Sequence, residues 1–334
     1  MKIIIILFFT LNALLSAGKV IIKMATLAPE SSVWYGQLVK MGQEWKKATD
    51  GEVSLRIYPS GVVGDERDMI RKMRIGQIHA AAITSEGLSE INHDFTAFFM
   101  PMLYESWEDV DYIRERIAPD LENGLEENGF KLLYMADVGW VYWFTKEKIT
   151  VPDDLKKMKI FTWAGDYKTA ELWKKVGFNP VPLASIDILS GLQTGLINAL
   201  PGPPLYALGQ QWFGITNHML KMRWGLISAG IVIDLRTWKK IKPDHQQAIL
   251  KIAEAASKQI QTVNRKQEDN AIAVMQEYGL IVHEQSEADY DYWLKLTKSW
   301  YPNLRGNVVS EDIFDKVVKI KAEKDSLDRI ILNQ

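Results

Sequence analysis

The sequence predicts an α/β protein built as two lobes that meet at a hinge. Three observations predict it. Strand-like and helix-like segments alternate from residue 20 onward. One helical pattern beginning at Pro243 can run about 35 residues, longer than a helix confined to one compact lobe, so it is expected to span both. The chain crosses between its halves more than once without a Pro/Ser-rich linker, which suggests a hinge rather than a tether. With 334 residues there is enough chain for two cores.

The elements follow in order. Residues 20–27 read as a strand, and Ser31 or Ser32 can cap a helix to about residue 48, with Trp34, Leu38, Met41 and Trp45 at helical spacing. Residues 52–58, EVSLRIY, alternate as a second strand. PSGVVGDERDMIRKMRIG then supplies a glycine-bounded turn, a helix and Gly76 as its stop, before a short buried strand over 78–84. This βαβαβ opening implies a parallel sheet with right-handed crossovers. Residues 107–128 form a charged helix, 130–135 a strand, and DVGWVYWF a segment crossing to the second lobe. There 158–162 form a strand, Gly165 permits a turn, and Asp166 can cap a helix to about residue 176. Residues 224–235 read as a long strand returning to the first lobe. Gly279 ends the long helix, and helices over 290–301 and 311–330 close the chain. The crossings fall near 137–142 and 224–227, dividing the chain into lobe I (19–138 plus 227–266) and lobe II (139–226 plus 267–334).

The composition narrows the function. A net charge of −2 and the lack of a basic run give no electrostatic reason to expect nucleic acid. MKIIIILFFTLNALLSAGKV has one Lys, a short apolar run and small residues, the pattern of a cleaved secretory signal over residues 1–18. A soluble, extracytoplasmic (periplasmic) protein is therefore expected. With no cysteine there are no disulfides, thiolate metal sites or cysteine nucleophile. His79, His93, His218, His245 and His283 lack metal-ligand spacing, and no nucleophile-elbow, Walker or dinucleotide glycine motif occurs. Asp153–Asp154 and Glu126–Glu127 sit in polar contexts and read as solvated faces. The reading is a binding protein rather than an enzyme, with no metal and no cofactor.

Twelve tryptophans are many for this length, and most belong in cores. Three segments read as cleft lining: ATLAPESSVWY after the first strand, DVGWVYWF between the lobes, and KIFTW at the opening of the second. On a strand, Val141 and Trp143 share one face, Trp140 and Tyr142 the other. Phe161 shares its face with Lys159 and Trp163.

IYPSGVVGDERDMIRKMRIGQI, KITVPDDLKKMKI, GFNPVPLASIDILSGLQTGLINA and TNHMLKMRWG together resemble the DctP-type substrate-binding proteins of TRAP (tripartite ATP-independent periplasmic) transporters. The resemblance covers most of the chain after residue 18. It implies a two-lobed periplasmic-binding-protein fold with a hinged cleft, and delivery of ligand to TRAP membrane permease subunits. The family's carboxylate-binding arginine follows K-I in the second-lobe strand, and here that place holds Phe161. A second arginine of some members corresponds to Val141, and the family's D-G-x-E-N becomes N-A-L-P-G, with Asn198 at its start. In this respect the chain is similar to the arginine-lacking subgroup that works with a periplasmic TPR-repeat lipoprotein, where a hydrophobic ligand is suspected.

An arginine grips a carboxylate through two charge-assisted bonds, and phenylalanine offers none. The helix after KIFTWAG has its N-terminal amides claimed by Asp166. The expectation is therefore an apolar or amphipathic organic ligand held by Phe161, Trp163, Trp140, Val141, Trp143, Trp34 and Phe99. Thr26, Ser85, Glu86, Asn198 and Tyr206 are expected to add hydrogen bonds. Two readings compete: a small organic acid gripped by Arg67, Arg223 or Lys159, and a secreted enzyme on the same fold.

Overall fold

The computed structural model describes residues 18–332, so the expected signal segment lies outside the described residues but for Gly18. The first lobe opens with β1 (Val20–Thr26), α1 (Val33–Ala48), β2 (Val53–Tyr58), α2 (Glu66–Arg74), β3 (Ala80–Thr84) and α3 (Ser85–Ser89). Both β2 and β3 pair with β1 in parallel, as the opening pattern predicts. Ser32 caps α1, its Oγ accepting from the Tyr35 amide at 3.2 Å. Next come α4 (Trp107–Glu127), with a Ser106–Asp109 capping box, and β4 (Phe130–Thr145). The second lobe holds α5 (Pro152–Leu155), β5 (Lys159–Trp163), α6 (Tyr167–Lys175), β6 (Asn179–Leu183), α7 (Ile188–Gln193), β7 (Ala199–Gly202) and α8 (Pro204–Gly209). Asp166 caps α6 by accepting from the Thr169 amide at 3.0 Å, as expected. The chain returns through β8 (His218–Asp234), α9 (Leu235–Trp238) and the 35-residue α10 (Pro243–Glu277). It ends with β9 (Ile281–His283), α11 (Glu287–Leu304) and α12 (Glu311–Leu332).

One nine-stranded sheet runs through both lobes in the order β2-β1-β3-β8-β4-β7-β5-β6, with β9 against β8. Its centre is the antiparallel pair β4–β8, of 16 and 17 residues. Here the structure departs from the sequence reading. The strand expected over 130–135 and the separate crossing segment are one continuous β4, and β8 begins at His218, six residues before the expected 224. Three register shifts along the pair bend it without interrupting it. A bulge adds a residue to one strand, so strict alternation fails locally and the strand reads as two.

The two faces of β4 do separate Trp140 and Tyr142 from Val141 and Trp143, but both faces are core. Trp140 and Tyr142 join the main core, which reaches into both lobes, while Val141 and Trp143 join a second core. A central strand covered on both sides by helices has no solvent face to offer a ligand. That second core absorbs much of the tryptophan. Trp143, Trp173, Trp224, Trp293 and Trp300 pack with Phe178 at ring-centroid separations of 5.2–6.2 Å. Edge-on and tilted pairs of this kind add about 0.5–1.5 kcal/mol each beyond area burial.

The crossing is pinned by α10. Asp137, fully buried on β4, accepts from Arg265 Nε at 2.9 Å and Nη2 at 2.6 Å and pairs with Arg114. Arg265 also forks onto Asp111 at 2.6 and 2.7 Å. Two residues on, Gly139 (φ +155°) leaves room for Glu268 of α10, where a Cβ would stand 3.4 Å from its Oε2. Glu268 accepts from the Trp140 amide at 3.1 Å and the Tyr142 hydroxyl at 2.9 Å. Removing one partner of a buried ion pair typically costs 3–5 kcal/mol. Arg265→Ala is expected to lower unfolding stability by about 3 kcal/mol, the low end because Arg114 remains. Denaturant melts check this, and a loss under about 1 kcal/mol would show that the clamp contributes little.

Candidate functional site

The carboxyl ends of the parallel strands face one another between the lobes, where ligands lie in open α/β sheets. Three cavities meet there. The first is bounded by Leu27, Glu66, Thr84 and Glu86 of lobe I, by Val138 and Ile227 at the crossing, and by Phe161, Ser185, Tyr206 and Trp212 beyond it. The second continues past Glu86, Phe161 and Pro201 toward the C-terminal helices, with about 920 Å³ of empty volume including its open mouth. The third lies between β1, β3, α1 and α10, and shares Glu66 and Tyr206 with the first.

Of the residues expected in the site, eight border these cavities. Thr26 and Trp34 line the third, Ser85, Phe99 and Trp163 the second, and Glu86, Phe161 and Tyr206 line the first, each of these three shared with a neighbouring cavity. Trp140, Val141, Trp143 and Asn198 border none of the three. The first three are core for the reason given above. Asn198 spends its side-chain oxygen on the Lys159 amide at 2.7 Å, bracing the start of β5. Trp34 donates to Asn264 of α10 at 3.1 Å and lies 5.4 Å from Tyr206.

The polar groups that matter most come from the start of α2, which was not among the places expected to supply the site. Asp65 occupies the N-cap position of α2 but makes no cap bond. Its Oδ2 instead crosses to lobe II, accepting from Trp163 Nε1 at 2.9 Å and the Ser185 amide at 3.3 Å. Glu66, 2% exposed, accepts from the Thr84 amide (2.8 Å), the Thr84 hydroxyl (2.7 Å) and the Gly87 amide (2.9 Å). Burial pushes Glu66 up to about 7 despite those three donors. Glu86 is also held well above the ordinary carboxylate range, by burial and by the neighbouring Glu66, Asp65 and Asp166. An acidic pair just after a glycine-bracketed turn, beyond the carboxyl end of a strand, was the signal available for Asp65 and Glu66.

The aromatic lining is therefore not greasy throughout. Trp163 turns its N–H to a carboxylate, and Thr162 Oγ1, Trp224 Nε1 and Trp300 Nε1, all on residues lining the second cavity, are buried without a protein partner. An apolar guest would leave such groups unsatisfied, at about 1–3 kcal/mol each. The three cations considered from sequence stand apart. Arg67 is at the lobe rim, 3.6 Å from Glu90 and 5.9 Å from the Tyr167 ring. Arg223 lies over Trp140 and donates to the Glu105 carbonyl, and Lys159 donates to the Gly195 carbonyl at 3.0 Å.

Two lobes closing on a cleft with polar groups from both define a solute-binding protein. The model for bacterial extracellular solute-binding proteins of family 7, DctP, matches residues 24–306, and the chain belongs to that family. It is a transport component, not an enzyme. It is similar to a solute-binding protein of Roseobacter denitrificans, 24% identical over 248 residues covering 72% of this chain and 74% of that one. It is also similar to the C4-dicarboxylate-binding periplasmic protein of Rhodobacter capsulatus, 19% identical over 301 residues, 89% and 90% of the two chains. Among solved structures, the TRAP periplasmic solute-binding protein of Haemophilus influenzae with bound L-gulonate has TM-score 0.83 and 19% identity, covering 91% of this chain and 99% of that one. That of Sulfurospirillum deleyianum with bound succinate has TM-score 0.82 and 17% identity, covering 90% and 98%.

These structural neighbours hold small polar acids, and that overturns the expectation of an apolar or amphipathic ligand. The physical reason is the set of buried carboxyls and unpartnered donors just described, which the aromatic count concealed. The family match extends to DctP as a whole. Nothing in it marks the TPR-associated, arginine-lacking subgroup expected from Phe161 and Val141.

Two predictions follow from this geometry. Asp65→Ala removes both bonds across the cleft, each of the charge-assisted kind worth about 1.5–3 kcal/mol. The ligand-free protein is then expected to shift at least tenfold toward an open form, seen as a larger radius of gyration in small-angle scattering; an unchanged radius would count against a latch. Glu66 and Glu268 are both raised to about 7 in the fold from 4.5, Glu268 chiefly by burial. The folded state therefore binds more protons than the unfolded chain between those values, so stability falls as pH rises from about 4.5 to about 7. Melts at pH 5 and pH 8 check the sign, and Glu268→Gln is expected to flatten the slope.

Proposed function

We propose that this protein is the extracytoplasmic capture component of a TRAP transporter for a small, hydroxyl-bearing organic acid. It delivers that acid to the TRAP permease in the membrane. The reading rests on the family and on one observation in the cleft: the adjoining cavities are lined both by Glu66 and Glu86 and by Thr162, Trp224 and Trp300, whose hydroxyl and indole N–H groups have no protein partner. A polyhydroxy acid brings both kinds of partner. Its hydroxyls donate to acceptors such as Glu66, while its carboxylate accepts from the donors of the cleft. L-Gulonate, L-galactonate, D-erythronate and β-D-galacturonate, bound by structural neighbours, have this chemistry.

Thr26, Ser85, Glu66, Glu86 and Tyr206 supply hydrogen bonds in this reading, and Trp34, Phe99, Phe161 and Trp163 form walls that exclude water. With Phe161 and Val141 at the two places where relatives place arginines, the cleft keeps the arginine-lacking character. Residues 1–18 direct the chain out of the cytoplasm and are cleaved. The lobes divide as 19–138 with 227–266, and 139–226 with 267–334, hinging where β4 and β8 shift register at Asp137/Gly139.

Thermal shift with those four acids, succinate and orotate tests the reading. A ligand at 100 times its Kd stabilises the fold by about 2.7 kcal/mol, several degrees in Tm. At least one hydroxy acid is expected to do so between pH 5.5 and 8.5. A flat response to the whole panel would overturn the acid assignment.

A further inference from the structure

An acid brought into this cleft meets an unusual charge balance. The three cavities are lined by no lysine, arginine or histidine among the described residues, while Glu66 and Glu86 line them directly. Asp166 borders the second cavity, and Asp65 bridges the lobes beside Ser185 and Trp163. The Asp65 Oδ1 is buried and unpartnered. Cations stand behind these walls: Arg265 and Arg114 are spent on Asp137, which lines the third cavity, Arg67 is paired with Glu90 at the rim, and His93 and Lys168 border a small adjoining cavity with Asp166 and Glu90. Bringing an anion against buried carboxylates with no counter-charge would cost several kcal/mol.

The groups around Glu86 divide the labour. Glu66, from α2, takes three donors, which favour its ionised form. Among the described residues, no group donates to the Glu86 carboxyl. The charged groups facing it are Glu66 and Asp65 from α2 and Asp166 from the turn before α6, all acidic, and the Tyr206 hydroxyl of α8 also lies near. The three acids favour the neutral carboxylic acid at Glu86, and a neutral acid is a hydrogen-bond donor.

Resting on the acid reading above, we propose that the guest is captured together with one proton, with the protonated Glu86 carboxyl donating its hydrogen bond to the guest carboxylate. The proton comes from solvent, stays on Glu86 while the cleft is closed, and leaves when the guest does. In place of a fixed guanidinium, the site uses a dissociable proton. The occupancy of the site is thereby linked to the pH outside the cytoplasm.

Calorimetric titration with L-gulonate, L-galactonate, D-erythronate and succinate, from pH 5.5 to 8.5 in phosphate and Tris, tests this. The buffer dependence of the heat is expected to give one proton taken up per anion. Above the Glu86 transition, Kd is expected to rise about tenfold per pH unit. Glu86→Gln keeps a donor that cannot ionise, so it is expected to bind at pH 8.5 as tightly as the parent at pH 5.5, with no buffer-dependent heat. An acid that binds the parent protein without proton uptake would overturn the proton linkage and leave the acid reading standing. Wild-type pH dependence in a folded Glu86→Gln would do the same. If none of the acids binds at any pH, the acid reading falls and the linkage with it.

Discussion

A carboxylate with no exposure to water, Asp137, governs how the chain passes from one lobe to the other. A buried charge must be paired, and Asp137 is paired twice, by Arg265 from the long helix and by Arg114 from α4. Glu268, one turn further along α10, takes the Trp140 amide and the Tyr142 hydroxyl. The 35-residue helix, about 50 Å long, is thus fastened to the sheet where β4 leaves the first lobe. The sheet can bend at its bulges, but the crossing itself is held, so the strand ends on either side face each other across a defined gap.

That gap determines what the aromatic residues can do. Phe161 and Trp163 stand at the end of β5, yet the groups opposite them are the carboxyls at the start of α2. Asp65 forgoes capping its own helix, a role worth about 1 kcal/mol, and joins the two lobes through Trp163 and Ser185. Glu66 satisfies the amides at the start of α3. The cleft is apolar in area and acidic in its polar groups. Such a site discriminates through hydrogen bonds, because unpaired buried donors and acceptors penalise a guest that cannot meet them.

The fold was largely legible in the chain. Helix caps at Ser32 and Asp166 are local events, decided by side-chain oxygens within three residues of the amides they satisfy. The extent of α10 was equally legible, between Pro243 and Gly279. The unity of β4 was not, since its bulges break the alternation by which a strand is recognised. The site was legible only in part. Trp34, Ser85, Glu86, Phe161 and Tyr206 lie on segments whose place at strand ends follows from their order. The identical logic failed for Trp140 and Trp143, because which face of a central strand is covered depends on helices far away in sequence.

By itself, then, the sequence determined the two-lobed α/β architecture, the parallel opening and the spanning helix, all of which arise from short-range periodicity and capping. Only the tertiary structure decided the chemistry of the cleft. Asp65 and Trp163 are 98 residues apart, and Arg265 and Asp137 are 128 apart. Whether a carboxylate caps its own helix, bridges two lobes or lines a cavity is set by the neighbours that folding brings to it, and no local pattern encodes them.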